Sequence, residues 1–251
     1  MHIPAQCNKS LDIAFSVFDS LYQDNCLSQI ILNGDIADFF NLKFHDSLPS
    51  DFGIKTRLKD EIWLVNKFLD HIQARYPKVE ITFIEGNHEQ RLARYLTKKC
   101  PDLFDMLDVP SLFKLRERKI KFYPYGRHQL YQIKKTDLYV RHSPYSYSEH
   151  CVHQNITKKH INLIHGCTHR YQERKIKTGS GKYLYGCSNG CLINFDDPIF
   201  DYMPTDNWVK GFSVVYIDGK WWQNHFVKIT DGRTVFGGYE YTGSKDFDFT
   251  Q

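Results

Sequence analysis

Four short segments of the chain carry side chains that bind divalent metals and activate water. They are residues 33–38 (NGDIAD), 86–89 (GNHE), 141–143 (RHS) and 166–169 (GCTH). Each supplies Asp, Asn, His or Cys, whose oxygen, nitrogen and sulfur atoms are common ligands of divalent cations. One more histidine, His2, lies at the start of the chain. These residue types predict a single metal site assembled from segments that are distant in the sequence.

Each of the four segments begins where an apolar run ends, which is where a buried strand would give way to a loop. The strands are predicted at residues 28–33, 79–85, 138–140 and 161–164. Helical spacing of apolar residues predicts helices at 11–22, 54–76 and 90–98. This alternation of strand and helix indicates an α/β domain, in which ligands at the carboxyl ends of strands meet in one crevice.

The second half of the chain is predicted to be rich in strands. Beyond those given above, strands are predicted at 120–122, 129–133, 171–177, 182–185, 212–217 and 221–229. The pair Asp218-Gly219 predicts a tight hairpin between the last two. We predict two sheets packed face to face with helices outside, in one domain over residues 1–235. Residues 41–53 are predicted to form a loop, and the Gly- and Asp-rich residues 236–251 a loosely held tail.

Composition limits the class of protein. A chain of 251 residues with 41% hydrophobic residues can bury the core of one large domain. The net charge of +4 permits phosphate-bearing partners without requiring them. The 7 cysteines suggest reduced thiols, and we expect a cytoplasmic protein without a secretion signal or a partner membrane. Basic and aromatic residues mixed through 114–135 fit a nucleic-acid track or solvated strands equally well.

In their order and spacing, these segments resemble the motifs of the calcineurin-like metallophosphoesterases. The family motifs are D-x-H, G-D-x-x-D, G-N-H-[DE], a single His after a strand, and G-H-x-H. The resemblance extends from His2 to His169, about two thirds of the chain. It implies a four-layer α/β/β/α sandwich of two mixed sheets. It also implies hydrolysis of phosphomonoesters or phosphodiesters, with a nuclease as one subclass and a phosphatase as another.

The resemblance also implies a role for each candidate residue. Asp35 would bridge two divalent cations, and a metal-bound hydroxide would attack phosphorus. His88 would protonate the leaving oxygen or stabilise charge on the phosphoryl group. The first cation would be held by His2 and His169, and the second by Asn87, His142 and Cys167. The side chains expected to orient these groups are Asp38, Glu89 and Arg170.

Two departures from the family pattern bear on this assignment. Cys167 stands where the pattern has His. Either its thiolate binds the second cation, so that zinc, iron or manganese is expected over magnesium, or that cation is weakly held. The Asp of D-x-H would precede Met1, and the first strand of the fold is expected to be absent. We favour a chain shortened at its N-terminus. The alternative function is a catalytically impaired or silent metal-binding module of the same fold.

For several of these residues the sequence leaves a second interpretation open. Asp38 is equally well explained as a helix N-cap or turn residue, and Glu89 as a favourable charge at a helix N-terminus. Arg91 and Arg94, one turn apart after the third motif, could contact substrate phosphates, but we favour a solvated helix face. The substrate and the oligomeric state have no signal in the sequence.

Overall fold

Helices and strands alternate through the first half of the chain, and strands dominate the second half. The structure is a computed structural model that describes residues 1–42, 57–200 and 205–251. Its helices are α1 (Asn8–Gln23), α2 (Leu58–Arg75), α3 (Gln90–Lys99), α4 (Val109–Leu112) and α5 (Cys151–Lys159). The strands of the first half are β1 (Gln29–Asn33), β2 (Glu80–Ile84) and β3 (Lys121–Tyr123). Those of the second half are β4 (Tyr131–Gln132), β5 (Leu138–Arg141), β6 (Asn162–His165), β7 (Tyr171–Lys177), β8 (Tyr183–Asn189), β9 (Gly211–Asp218), β10 (Trp221–Lys228), β11 (Arg233–Phe236) and β12 (Tyr239–Thr242).

The strands form two larger sheets and two hairpins. The first sheet has the order β1-β2-β3 and is parallel throughout. The second has the order β4-β5-β6-β8-β7, in which β5, β6 and β8 are parallel and the two edge strands are antiparallel. The hairpins are β9-β10 and β11-β12. The chain is therefore mixed α/β, with parallel strands at the centre of each larger sheet.

Side chains that alternate along one strand belong to different apolar clusters. On β1, Ile30 and Leu32 pack in the cluster that contains the buried faces of α1 and α2. Ile31 between them packs instead in a cluster formed by strands of both larger sheets. On β6, Leu163 packs with Ile156 of α5, and Ile164 packs in the cluster shared by the sheets. Because strand side chains alternate between faces, both β1 and β6 are covered on two sides.

Most predicted elements are confirmed, but helices α4 and α5 and strands β11 and β12 were not predicted, and two segments differ. Helix α5 was not predicted, because its polar sequence (CVHQNITKK) has a weak apolar stripe. The strand predicted at 182–185 continues to Asn189. In the continuation, Gly186 packs beneath Ile156 of α5, where a larger side chain would clash. The loop predicted at 41–53 and the first turn of the helix predicted at 54–76 lie mostly outside the described residues.

The segment 236–251, expected to be a loosely held tail, is packed against the domain. Its residues 239–242 form β12, and Phe249 is buried in the cluster that contains α1 and α2. Ser244 donates its backbone N–H to Asp12 of α1 over 2.8 Å. The Gly and Asp content of the segment obscured two aromatic side chains: Phe249 is buried in this cluster, and Phe247 packs against it.

Candidate metal centre

The candidate ligands converge because they follow the carboxyl ends of strands that lie side by side. Asp35 follows β1, Asn87 follows β2, His142 follows β5, and Cys167 follows β6. Two glycines let these loops approach closely. A Cβ on Gly34 would overlap the ring of His142, and a Cβ on Gly86 would overlap the Asp35 carboxylate. The glycines are thus required by contact, and Gly34 also has a positive φ of 74°.

Asp35 lies at the centre of the cluster and is 3% exposed. Its Oδ2 atom is 3.1 Å from Nε2 of His142, 3.5 Å from Nε2 of His2 and 3.9 Å from Nε2 of His88. Two groups of metal-ligand side chains share this one carboxylate: His2 and His88 complete one group, and His142 and Cys167 complete the other. One carboxylate common to two donor groups is the arrangement of a bridging ligand.

His142 presents a lone pair to the second group when its ring is neutral. Its Nδ1 lies 2.7 Å from the carbonyl oxygen of Asn33, which can only accept, so Nδ1 carries a proton. Its Nε2 faces Oδ2 of Asp35 and Oδ1 of Asn87, each at 3.1 Å. Burial lowers the pKa of His142, but the carboxylate of Asp35 and the thiol of Cys167 raise it well above its usual value. The acceptors around Nε2 therefore call for a proton or a cation at that position.

His2 and His169 form the donor set on the other side of Asp35. Their Nε2 atoms lie 3.2 Å apart, and Nδ1 of His2 lies 2.8 Å from the Asp38 carboxylate. Burial lowers the pKa of His2 to about 4 and that of His169 well below its usual value. Both rings are therefore neutral near pH 7. With the His2 proton on Nδ1, its Nε2 is a free lone pair aimed at Asp35.

Asp38 connects His2 to His88, in agreement with an orienting role. Its Oδ2 lies 3.0 Å from Nδ1 of His88 as well as 2.8 Å from Nδ1 of His2. Although burial raises the pKa of Asp38, its hydrogen bonds to these two histidines lower it well below its usual value. Arg91 donates to Oδ1 of Asp38 over 3.0 Å, and its Nη2 lies 3.0 Å from Nε2 of His88. Arg91, interpreted from sequence as a solvated residue, is in fact part of the site.

Glu89 supports the backbone of the site and not a histidine, which differs from its expected orienting role. Its carboxylate accepts four backbone N–H groups, from Gly86, Asp35, Ile36 and Ala37, over 2.6–3.0 Å. Burial and the nearby charge of Asp35 raise the pKa of Glu89. These N–H donors offset part of the cost of burying the charge, and they fix the turn that carries Asp35.

Cys167 and Arg170 hold the other edge of the site. The Cys167 sulfur lies 3.2 Å from Oδ1 of Asn87 and 4.0 Å from the hydroxyl of Tyr147. Arg170 was expected to orient the ligands, but its guanidinium donates to the carbonyl oxygens of Tyr147 and Ser148. Its contacts therefore fix the loop that carries Tyr147.

The donor atoms have the chemistry and spacing of ligands that share a cation. Two ligands about 2.1 Å from a tetrahedral ion lie about 3.4 Å apart. The separations around Asp35 are 3.1 Å to His142 and 3.5 Å to His2, and the two ring nitrogens of His2 and His169 are 3.2 Å apart. Each pair brings acceptor atoms together, which is unfavourable unless a proton or cation lies between them. These residues therefore fit divalent cations.

Trp208 was not identified from sequence, although it borders the site. Its ring contacts that of His169 edge-on, with the centroids 4.3 Å apart. No local pattern distinguishes this tryptophan, since it reaches the site from a loop far along the chain. Arg91 did carry a signal: it lies three residues after His88 at the start of α3, where neighbouring turns of a helix face the same way.

Glu61 on α2 gives a prediction about pH. Its carboxylate accepts the N–H of Phe39 over 2.7 Å, and burial, with the charge of Asp38, raises its pKa to about 8 from 4.5. Between these values the unfolded chain releases the proton and the folded chain keeps it, so stability falls as pH rises from 4.5 to 8. We expect Glu61→Gln to remove this decrease in the free energy of unfolding. The decrease is at most about 5 kcal/mol, at 1.36 kcal/mol per pKa unit.

Urea unfolding of both proteins at several pH values, with a chelator present, measures the effect of Glu61→Gln. The difference in unfolding free energy should grow in favour of the variant as pH rises. A constant difference across the range would contradict the assignment of this titration to Glu61.

Among the described helices, none is long and apolar enough to cross a membrane. Comparison of the chain with protein-family models, with curated proteins and with solved structures gives no match. Interpretation of the site therefore rests on its own geometry.

Proposed function

We propose that this protein is a metal-dependent phosphoesterase of the calcineurin-like type, with two divalent cations that share Asp35. The observation that carries the proposal is the position of that one buried carboxylate between two groups of metal-ligand side chains. A bridging carboxylate with histidine, amide and thiolate donors is suited to phosphoryl transfer by two metals. We also propose that the larger sheets are the inner layers of an α/β/β/α sandwich. The support is the apolar cluster common to both sheets, and the helical clusters that cover their other strand faces.

The residues that would hold the cations fall on the two sides of Asp35. His2 of the first group would bind one cation together with His169, whose Nε2 lies 3.2 Å from that of His2, and His88 of that group would face the substrate instead. Asn87, His142 and Cys167 would bind the other cation. Bound divalent cations lower the pKa of water and neutralise charge on phosphoryl oxygens. The softness of the thiolate favours zinc or iron over magnesium, and manganese would be held mainly through the oxygen donors.

His88 is the residue proposed to act on the leaving oxygen. Asp38 accepts a hydrogen bond from Nδ1 of His88, so Nε2 is the atom that would meet the substrate. The Arg91 guanidinium donates to that same atom over 3.0 Å, so the substrate would have to displace this contact and would then lie beside the positive charge. Together they would favour negative charge where the phosphoryl group lies, since both are anchored by the buried Asp38.

The test is hydrolysis of a bis-aryl phosphate diester and an aryl phosphate monoester with manganese or zinc. We expect metal-dependent turnover that falls by about 10²- to 10⁴-fold in kcat for His88→Ala, the range for loss of a general acid. His153→Ala, an exposed histidine on α5, is the control and should keep full activity. Equal rates for the two variants would contradict the role of His88.

A silent metal-binding module is the second candidate function. Two observations favour it. The Arg91 guanidinium lies against Nε2 of His88, the atom that would meet the leaving oxygen. In the first donor group, Asp35 is the one carboxylate, and it is shared with the second group. Binding of two cations without turnover of either ester, with every metal tried, would support this candidate and contradict the phosphoesterase.

Cys167 gives a prediction about metal preference. We expect Cys167→Ser to weaken zinc binding by about 10- to 100-fold and manganese binding much less, because a hydroxyl replaces a soft thiolate. Cys167→His should restore zinc binding. Competition with a chromophoric chelator measures both, and Cys26→Ser, at an exposed thiol, is the control. Equal losses for zinc and manganese would argue against a bond between metal and sulfur.

A further inference from the structure

A second groove, with a volume of about 770 Å³, lies at the end of the five-stranded sheet that is farthest from the metal centre. It is lined by Asn162, the first residue of β6, whereas Cys167 follows the last residue of that strand. At about 3.3 Å per residue, the two places are about 16 Å apart along the strand. The groove is thus separate from the candidate active site, and the chemistry proposed above makes no use of it.

Two aromatic side chains at this groove are unusually exposed. Trp221, at the hairpin between β9 and β10, is 83% exposed, and Tyr183, the first residue of β8, is 67% exposed. Trp222, the neighbour of Trp221, differs: it packs on Tyr185 and donates its Nε1–H to Asp137 over 2.7 Å. One tryptophan thus builds the groove, while the other presents its ring to solvent at a cost in apolar exposure that the fold does not explain.

The charges around these rings are mostly positive. Lys135, Lys175 and Lys220 line the groove and are exposed. The acidic residue of the lining, Asp137, has its carboxylate engaged by Trp222, and Lys175 makes a loose 3.7 Å ion pair with Glu173 outside the groove. The groove therefore keeps a net positive charge, which is complementary to a polyanion.

One polar atom in the groove also has no partner. Asn224 donates from Nδ2 to the hydroxyl of Tyr185 over 2.7 Å, and its Oδ1 has no hydrogen-bond partner within the described chain. This carbonyl oxygen is buried and belongs to a residue of the groove lining. Because this atom is closed off from solvent, the surface of the groove that is open to a ligand consists of the exposed rings and the lysines.

We propose that this groove binds a single-stranded segment of nucleic acid. Unpaired bases would stack on Trp221 and Tyr183, and the phosphates would lie against Lys135, Lys175 and Lys220. Exposed rings interleaved with lysines form the kind of surface that binds single strands, because every unpaired base has a face that can stack. In a duplex those faces are already stacked, so the groove should prefer single strands. The proposal does not depend on catalysis, since the groove and the metal centre are distinct.

The experiment measures the affinity of the full chain for a labelled 15-nucleotide oligothymidylate by fluorescence anisotropy, in the presence of a chelator. This removes metal-dependent hydrolysis, so the result is independent of the proposed phosphoesterase activity. We expect Trp221→Ala to weaken binding by about 5- to 100-fold, the range for loss of one stacked base. Trp63→Ala is the matched control, because Trp63 is 52% exposed on α2 and has Lys67 5.7 Å from its ring. It should leave the affinity unchanged.

Salt dependence and competitors identify the ligand. With three phosphate contacts, the logarithm of the affinity should fall with the logarithm of salt at a slope of about −2, and Lys220→Ala should reduce that slope by about 0.7. Heparin, a polyanion without bases, should compete weakly. Equal effects of Trp221→Ala and Trp63→Ala, or heparin binding as tight as that of the oligonucleotide, would overturn the proposal. The proposal would also be overturned if the chain did not bind the oligonucleotide and Trp221→Ala changed its oligomeric state. This surface would then be a contact between copies of the chain.

Discussion

Asp35→Asn is expected to remove both cations from the protein and to lower phosphodiester hydrolysis by about 10³-fold or more. Asp35 is common to both donor groups and its Oδ2 faces His2 and His142, so its charge would contribute to both proposed cations. The asparagine amide has the same shape as the carboxylate but no negative charge. The expected decrease in rate corresponds to a loss of several kcal/mol in transition-state stabilisation, at 1.36 kcal/mol per tenfold change in rate. Metal analysis of the purified variant should fall from about two cations per chain to less than one.

The amide also keeps a contact that separates chemistry from folding. Oδ1 of Asp35 accepts the N–H of His88 over 3.0 Å, and an asparagine oxygen can do the same. Asp19→Asn is the matched control, since Asp19 is hydrogen-bonded to Arg75 and Tyr76 away from the site. It should retain metals and activity. Two cations and normal turnover in Asp35→Asn would contradict the shared carboxylate, and so the two-metal proposal.

The positions of Asp35, His142 and Cys167 could be predicted from sequence for a physical reason. Each follows a short apolar strand, and parallel strands bring their carboxyl ends to one edge, so the pattern of apolar residues fixes the meeting place. Gly34 and Gly86 could also be identified from sequence, because each directly precedes a candidate ligand. The structure gives the physical reason for them, since a side chain at either position would overlap a candidate ligand.

Other parts of the site could not be predicted, because they depend on contacts between distant segments. Trp208 reaches His169 from a loop whose position follows from the packing of the second half. Arg170 follows His169 directly, but its side chain turns to the carbonyl oxygens of Tyr147 and Ser148. The buried tail illustrates the same limit, since Phe249 has an apolar partner surface that no local pattern reveals. The residue types indicated which chemistry the site could perform, whereas the directions of the side chains depend on the folded structure.

Glu89→Ala is expected to cause the largest loss of stability of any single substitution in the site. It would leave four buried N–H groups, those of Gly86, Asp35, Ile36 and Ala37, without their acceptor. An unsatisfied buried donor costs about 1–3 kcal/mol, so a total of about 4 kcal/mol or more is expected. That is a large part of the 5–15 kcal/mol typical of a whole domain. The urea midpoint should fall by more than about 1 M at an m value of 2–3 kcal/mol per M.

Two further variants separate the four-donor contact from the general cost of removing a buried carboxylate. Glu85→Ala removes a buried glutamate that accepts the N–H of Tyr125 over 2.7 Å, and it should cost about 1–3 kcal/mol. Glu89→Gln keeps one acceptor oxygen and places an amide donor against the N–H groups, so its loss should lie between those of the two alanine variants. Equal losses for Glu89→Ala and Glu85→Ala would contradict the role of the four donors. Because these donors include the N–H of Asp35 itself, Glu89→Gln should also weaken metal binding, by about 10- to 100-fold, even under conditions where the variant is fully folded.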